Sequence, residues 1–452
     1  MNKLVNGLLA KLKDKHLNEL VKGSIGFLIL KIIGIGLSYI FLYLVMRWYD
    51  AAIWGIFSIA VAVARISWIV GRMGLDSALV RFTAEYAVRG KQDLVRRLYW
   101  RGLAISVPLS LVITVLLYFG APFLALHVFK NPGYTYALRL MALITLPGTL
   151  IFVNAAALRG LKRISSHSFL INAAQFLFGI ILLFLGRGYF ERSTAPVNAF
   201  AIATVISVVV SFFFGRIGEK AGKLQPGAED AIRTWPLLKV AFPMLLTGCY
   251  SFLLNQTGVL ALGILGTQTD VGIFNAVYKV GTLLTFTLTA INSIGAAKFS
   301  ECHSLGDKKG FEQITHYSTR LIFWTTFPLA VIFIALPQPI LNLFGKEVKT
   351  GTLALVILTV GFFVNAVSGP VGTILNMTGY QVVYQNIVLV AALINIGLNI
   401  LLIPRYGING AAIANTVSMI VWNIICVIYI KKKFNILVLY LPFLDRLIWG
   451  KK

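Results

Sequence analysis

Six basic residues of this 452-residue chain, Lys31, Arg65, Arg72, Arg139, Lys239 and Lys279, lie inside long apolar runs. Two of them share the stretch VARISWIVGRMGLDSALVRFTAEY, residues 63–86. On a helix, Arg65, Trp68 and Arg72 fall on one face, and Asp76 follows Arg72 by four residues, so that pair partly neutralises itself. A charged side chain at the centre of a bilayer costs at least ~2.5 kcal/mol, and a water-filled crevice relieves most of that cost. The planar fork of arginine matches phosphate oxygens, and lysine adds a compact point charge. Of the 16 acidic residues only Asp76 is embedded in an apolar run. Such a crevice is badly made for organic cations and well made for a diphosphate. The candidate anion ligands are Arg65, Lys279, Lys31 and Arg72. Trp68, Asn255 and Tyr278, with Tyr39, Tyr43, Gln256, Asn275 and Asn292 nearby, offer faces and hydrogen bonds for a sugar. Lys239 and Arg139 stand near run ends, where a long side chain can snorkel to the headgroups.

Other chemistries have no foothold. Cys249, Cys302 and Cys426 are odd in number and far apart, which suggests neither a disulfide framework nor a metal site. The five histidines form no ligand pair at helical spacing, and there is no glycine-rich phosphate loop, no triad-like cluster and no paired carboxylates. The expectation is a protein that is not an enzyme and needs no cofactor or metal.

The elements that must position these cations are membrane spans. The chain is 58% hydrophobic and 13% charged, against roughly 25% charged in soluble proteins. Windows of about 20 apolar residues predict twelve spans, near 23–46, 53–79, 102–126, 136–158, 169–187, 197–217, 237–262, 271–297, 319–344, 352–376, 381–403 and 408–430. The first run is long enough to span and lacks a small-residue cleavage site, so it reads as a span and not a leader. With the N-terminus inside, 28 of the 41 basic residues fall on cytoplasmic segments and seven on outer loops, which leaves the six above. That bias places both termini in the cytoplasm. The net charge of +25 is therefore mostly topology, with no nucleic-acid partner implied. Residues 1–22 pattern as a basic amphipathic segment on the inner leaflet, and 434–452 as an interfacial tail.

A shift of 217 residues superposes the two halves. WGIFSIAV from Trp54 falls on VGIFNAVY from Val271, Arg81-Phe82-Thr83 on Lys298-Phe299-Ser300, and Pro122 on Pro339. The repeat predicts lobes over 23–218 and 237–433 joined by a cytoplasmic linker at 219–236. Six spans separate equivalent positions, so both lobes cross in the same sense, and a binding site is expected between such repeats. Lys279 maps onto Ala62, one turn from Arg65, which puts a cation at similar depth on the second and eighth spans. Pro108, Pro147, Pro243, Pro328 and Pro370 interrupt spans and offer places to bend.

The run GIFSIAVAVARISWIVGRMGLDSALVRFTAEY, followed by a loop beginning RGK, resembles the polysaccharide-transporter (Wzx-type) flippases of the multidrug/oligosaccharidyl-lipid/polysaccharide exporter (MOP) superfamily. ALRGLKR at 157–163, NMTGYQ at 376–381 and PRYGINGAAIANTVS from Pro404 carry the likeness over most of the chain. The resemblance implies an all-α polytopic membrane protein with two parallel six-helix repeats in a V-shaped, MATE-like bundle, its cavity lined by spans 1, 2, 7 and 8. Some relatives have fourteen spans. It also implies a flippase that carries polyprenyl-pyrophosphate-linked oligosaccharide from the inner to the outer face of the cytoplasmic membrane by alternating access. Its partners would be membrane lipid, glycan polymerase and glycosyltransferases. The return step would be driven by the membrane potential, or by ion coupling at Asp76 or Glu85. Three alternatives stand. A MATE-like cation or drug antiporter would want an acid in the first or seventh span, where this chain has Lys31 and no acid over 237–262. A peptidoglycan lipid-precursor flippase would carry a Phe-Ala-Arg-Asp run that is absent from the first span. A non-transporting scaffold of glycan assembly would have no use for buried cations.

Overall fold

Hydrocarbon offers no partner to an unpaired backbone N–H or C=O, and apolar runs of about 20 residues meet that constraint as helices. The computed structural model describes residues 15–88, 90–214, 234–440 and 442, and every regular element among them is a helix. Most of the basic start at 1–22, most of the linker at 219–236 and nearly all of the tail after 440 lie outside the described residues.

In chain order the helices are α1 (Lys15–Trp48), α2 (Ala51–Arg72), α3 (Leu75–Val88), α4 (Gln92–Phe123), α5 (Tyr134–Leu143), α6 (Thr145–Gly160), α7 (Ile164–Ser168), α8 (Ala174–Leu185), α9 (Ala195–Phe214) and α10 (Thr234–Leu265). There follow α11 (Gln268–Gly281), α12 (Phe286–Ser304), α13 (Lys308–Ala335), α14 (Pro337–Asn342), α15 (Thr352–Val367), α16 (Val371–Met377) and α17 (Gln381–Phe434). A π-helical turn, Phe169–Ala173, joins α7 to α8, and a 3-10 turn, Thr282–Thr285, joins α11 to α12.

Among the described residues ten helical segments are long and apolar enough to cross a membrane, and the α5–α6 pair, bent by 43°, makes an eleventh. That bend has a local cause. Pro147 lacks the N–H that would bond back to Leu143, and its ring crowds that carbonyl. The last segment, α17, runs 54 residues. At ~1.5 Å per residue it would reach about 80 Å, far beyond a hydrocarbon core of ~30 Å. The backbone divides it at Gly407, with φ 51° and ψ −128°. Counting its two parts separately brings the total to the expected twelve. This is a multi-pass membrane protein.

The repeat recurs in the helix boundaries. Trp48 and Leu265 end α1 and α10, Ala51 and Gln268 start α2 and α11, Gly160 and Met377 end α6 and α16, and Ile164 and Gln381 start α7 and α17. Each pair is 217 residues apart. The repeat is also written into one contact. A Cβ on Gly55 would overlap the carbonyl oxygen of Gln268, and a Cβ on Gly272 would overlap that of Ala51. Gly55 and Gly272 are repeat mates, as are Ala51 and Gln268, so the contact is reciprocal. Small residues let two apolar helices approach to backbone contact, and here only glycine fits on either side.

The chain divides into two compact units. The first comprises Met1–Leu44, Val63–His127 and Asn131–Gly248, and the second Val45–Ala62, Val128–Lys130 and Cys249–Lys452. Leu75, Leu79, Leu98, Ala156 and Ala241 centre a core in the first. Phe299, Phe311, Ile374, Cys426 and Ile430 do so in the second. The joint between α2 and α3 requires its glycine: Gly74 has φ +73°, and a side chain there would strike the backbone of Ala241 and Leu245.

Gly55→Ala and Gly272→Ala are each expected to destabilise the protein by about 1–3 kcal/mol through overpacking. Gly36→Ala, where an added Cβ meets nothing within 4 Å, serves as the neutral control. Thermal unfolding of the three variants in detergent measures the difference.

Candidate functional site

Helix α2 is the element on which the first unit's charges are hung. It is built from Ala, Ile, Val and Gly, and its residues Ala64, Ser67 and Trp68 are buried. Arg65 stands between them and is exposed. Among the described residues the guanidinium of Arg65 has no ion pair, hydrogen bond or aromatic partner.

Arg72, two turns on, is treated differently by the fold. Its Nε lies 3.6 Å from Asp76 Oδ2, and its guanidinium carbon lies 4.3 Å from the centre of the Phe152 ring. The pairing with Asp76 is the one read from the four-residue spacing, and the ring from α6 adds a second stabilising face. Trp68 does not share the exposure of Arg65. It is 3% exposed, its indole N–H donates to the Ile144 carbonyl at 3.2 Å, and Gly148 clears the space for its ring. Its indole is spent on fixing α2 against α6. Lys31 is half-buried on α1, and Glu85 is half-buried on α3. Arg139 lies over the ring of Tyr118 at 5.5 Å, and Lys239 is exposed near the start of α10.

In the second unit the fold joins two of the predicted residues. The Tyr278 hydroxyl donates to Asn255 Oδ1 at 3.3 Å, and Lys279 follows on the same helix, α11. The Tyr278 ring packs edge-on to Phe362 with centroids 5.3 Å apart, which fixes where its hydroxyl points. Asn255 is exposed and is itself anchored through Nδ2 to the Ser251 carbonyl at 2.7 Å.

Trp54 was not singled out as a site residue, yet it underlies this cluster. Lys279 Nζ lies 5.5 Å from its ring centre, and its indole N–H donates to Asn275 Oδ1 at 3.1 Å. A signal for it was present. Once Gly55 faces Gly272, the residue before Gly55 meets the helix one turn past Gly272, and that position is Asn275. Ala51 N–H, at the start of α2, donates to Glu347 Oε2 at 3.0 Å, placing a carboxylate at the positive end of the helix. Among the described residues there is no group of three or more His, Cys, Asp or Glu side chains arranged to hold a metal ion.

A sequence profile of the family described as "Polysaccharide biosynthesis protein" matches residues 20–296. The "probable low-salt glycan biosynthesis flippase Agl15" of Haloferax volcanii is 21% identical over 423 residues, covering 92% of this chain and 85% of that protein. Solved structures share the fold. The lipid II flippase MurJ in its inward closed conformation superposes with a TM-score of 0.71 at 16% identity, over 92% of this chain and 89% of its own. A multidrug-resistance MATE family transporter of the MOP superfamily, inward-facing, also gives 0.71, at 14% identity over 87% of this chain and 94% of its own. The architecture is thus a MOP-type helical bundle.

Because Trp68 is a packing residue here, Trp68→Ala is expected to cost about 3–5 kcal/mol of stability. Tyr278→Phe, which loses one long, exposed hydrogen bond, is expected to leave unfolding nearly unchanged. Denaturation of both variants in the same detergent checks the contrast.

Proposed function

Since the chain belongs to the polysaccharide biosynthesis protein family, we propose that it is a flippase for a polyprenyl-pyrophosphate-linked oligosaccharide, moving it from the cytoplasmic to the outer face of the membrane by alternating access. The observation that carries this reading is the guanidinium of Arg65 within α2, which has no partner among the described residues. A cation kept inside an apolar span without a counter-ion marks a functional site, and a diphosphate supplies the missing charge.

Arg65 and Lys279 are the proposed diphosphate ligands, supported by Lys31, with Arg72 held back by its own carboxylate. Tyr278, which precedes Lys279 on α11, and Asn255 present a hydrogen-bonded hydroxyl and amide, suited to the oxygen-rich end of the same substrate. The polyprenyl chain stays in lipid, where its transfer costs nothing. Agl15, a relative by sequence, carries the name "probable low-salt glycan biosynthesis flippase", which supports the same cargo class. The likeness to MATE structures is one of fold. Cation export would call for embedded carboxylates, and α10 contains no acidic residue.

The test is translocation of a polyprenyl-pyrophosphate-linked glycan in proteoliposomes by Arg65→Gln and Lys279→Gln. Each lost charge-assisted bond is worth about 1.5–3 kcal/mol, so each variant is expected to translocate roughly 10- to 100-fold more slowly. Wild-type rates in both variants, at equal protein levels, would remove Arg65 and Lys279 as the diphosphate ligands, and no translocation by the wild-type protein would sink the flippase reading.

A further inference from the structure

The first unit contains a second polar site, away from Arg65. A hollow of about 200 Å³ is lined by Asp76, Ser77 and Val80 of α3, by Phe152, Ala156 and Arg159 of α6, by His167 of α7 and by Ile171. It is several times the ~30 Å³ share of one water and smaller than the roughly 300–1,000 Å³ pockets that hold drug-sized ligands. One sugar ring is the right scale.

The lining is divided in kind. Val80, Phe152, Ala156 and Ile171 give an apolar floor, and the polar groups around it are largely unspent. Among the described residues Asp76 is engaged only by the 3.6 Å ion pair to Arg72, which is too long for a hydrogen bond. Ser77 and Arg159 are exposed and form no hydrogen bond or ion pair among the described residues. His167 Nδ1 lies 2.9 Å from the Ala155 carbonyl. A carbonyl only accepts, so Nδ1 carries the proton and Nε2 is left as an acceptor when the ring is neutral.

We infer that this hollow is a subsite for one acidic pyranose, a uronic acid residue of the transported glycan. A pyranose has an apolar C–H face for the floor and hydroxyls for Asp76, Ser77 and His167. The Arg72–Asp76 pair cancels, which leaves Arg159 as a net positive charge for one carboxylate, bound through its fork. A bare phosphate fits poorly, because it has no C–H face and the four apolar side chains would go unused. The inference rests on the flippase reading for its cargo, and its test does not depend on translocation.

Full-length protein in nanodiscs, with Ser77→Cys introduced into a Cys249→Ala background, reports the subsite by its rate of maleimide labelling. Glucuronate is expected to slow labelling, and glucose and inorganic phosphate to slow it much less. Arg159→Gln, at an exposed side chain with no hydrogen bond or ion pair among the described residues, should raise the glucuronate concentration for half-protection by about tenfold. Arg65→Gln should leave protection intact while slowing translocation. Protection by glucose or by phosphate equal to that by glucuronate, or none by any of the three, overturns the acidic-sugar subsite and leaves the flippase reading standing. Failure of the wild-type protein to translocate, with protection intact, overturns the flippase reading and leaves a sugar site.

Discussion

A full positive charge cannot rest in hydrocarbon, and the fate of two arginines on one helix shows how this chain answers that constraint. Arg72 is given Asp76 one turn along and the face of Phe152, so its charge is balanced within its own unit. Arg65 is given nothing among the described residues. Neutralising one and withholding a partner from the other has a physical meaning. An ion already paired has little left for a ligand, whereas an unpaired one binds an anion without first breaking a contact. The same economy holds around the hollow between α3 and α6, where the polar groups keep most of their bonding capacity.

Close helix packing is the second constraint, and it explains why the repeat has stayed in register. Helices in lipid gain no hydrophobic drive from meeting one another, so they rely on backbone approach at small residues. Gly55 and Gly272 meet this need reciprocally, each seated against the backbone near the other's helix start. Any drift in the 217-residue offset at either helix would move a side chain into that contact. Trp54 and Lys279 are tied to it by position, so the contact also fixes where the cation of α11 stands.

These constraints converge on one picture of how the residues serve the family's chemistry. The anionic cargo proposed above suits a chain with 41 basic and 16 acidic residues. Tyr278 and Asn255 are held by Phe362 and by the Ser251 carbonyl, so their polar ends are pre-set and lose little freedom when a ligand arrives. Loose polar side chains would give the same contacts at a higher entropic cost.

The sequence by itself determined the helical class, the spans, the repeat and the identity of the misfit cations. Each of those follows from local hydropathy, spacing and the cost of charge in lipid, which are properties of the chain before it folds. The Gly407 break shows the same legibility, because PRYGING between two apolar runs marks an interruption that a 54-residue helix would otherwise hide. Which polar residue faces a neighbour and which is left open was decided only by tertiary structure. Trp68 and Arg65 are one turn apart on a helical wheel, yet one is sealed by Gly148 and Ile144 and the other is exposed. Periodicity assigns a residue to a face, but the width of that face covered by the next helix depends on crossing angle and on the size of side chains some 80 residues away. For the same reason, Asp76, Arg159 and His167 became neighbours only when α3, α6 and α7 packed.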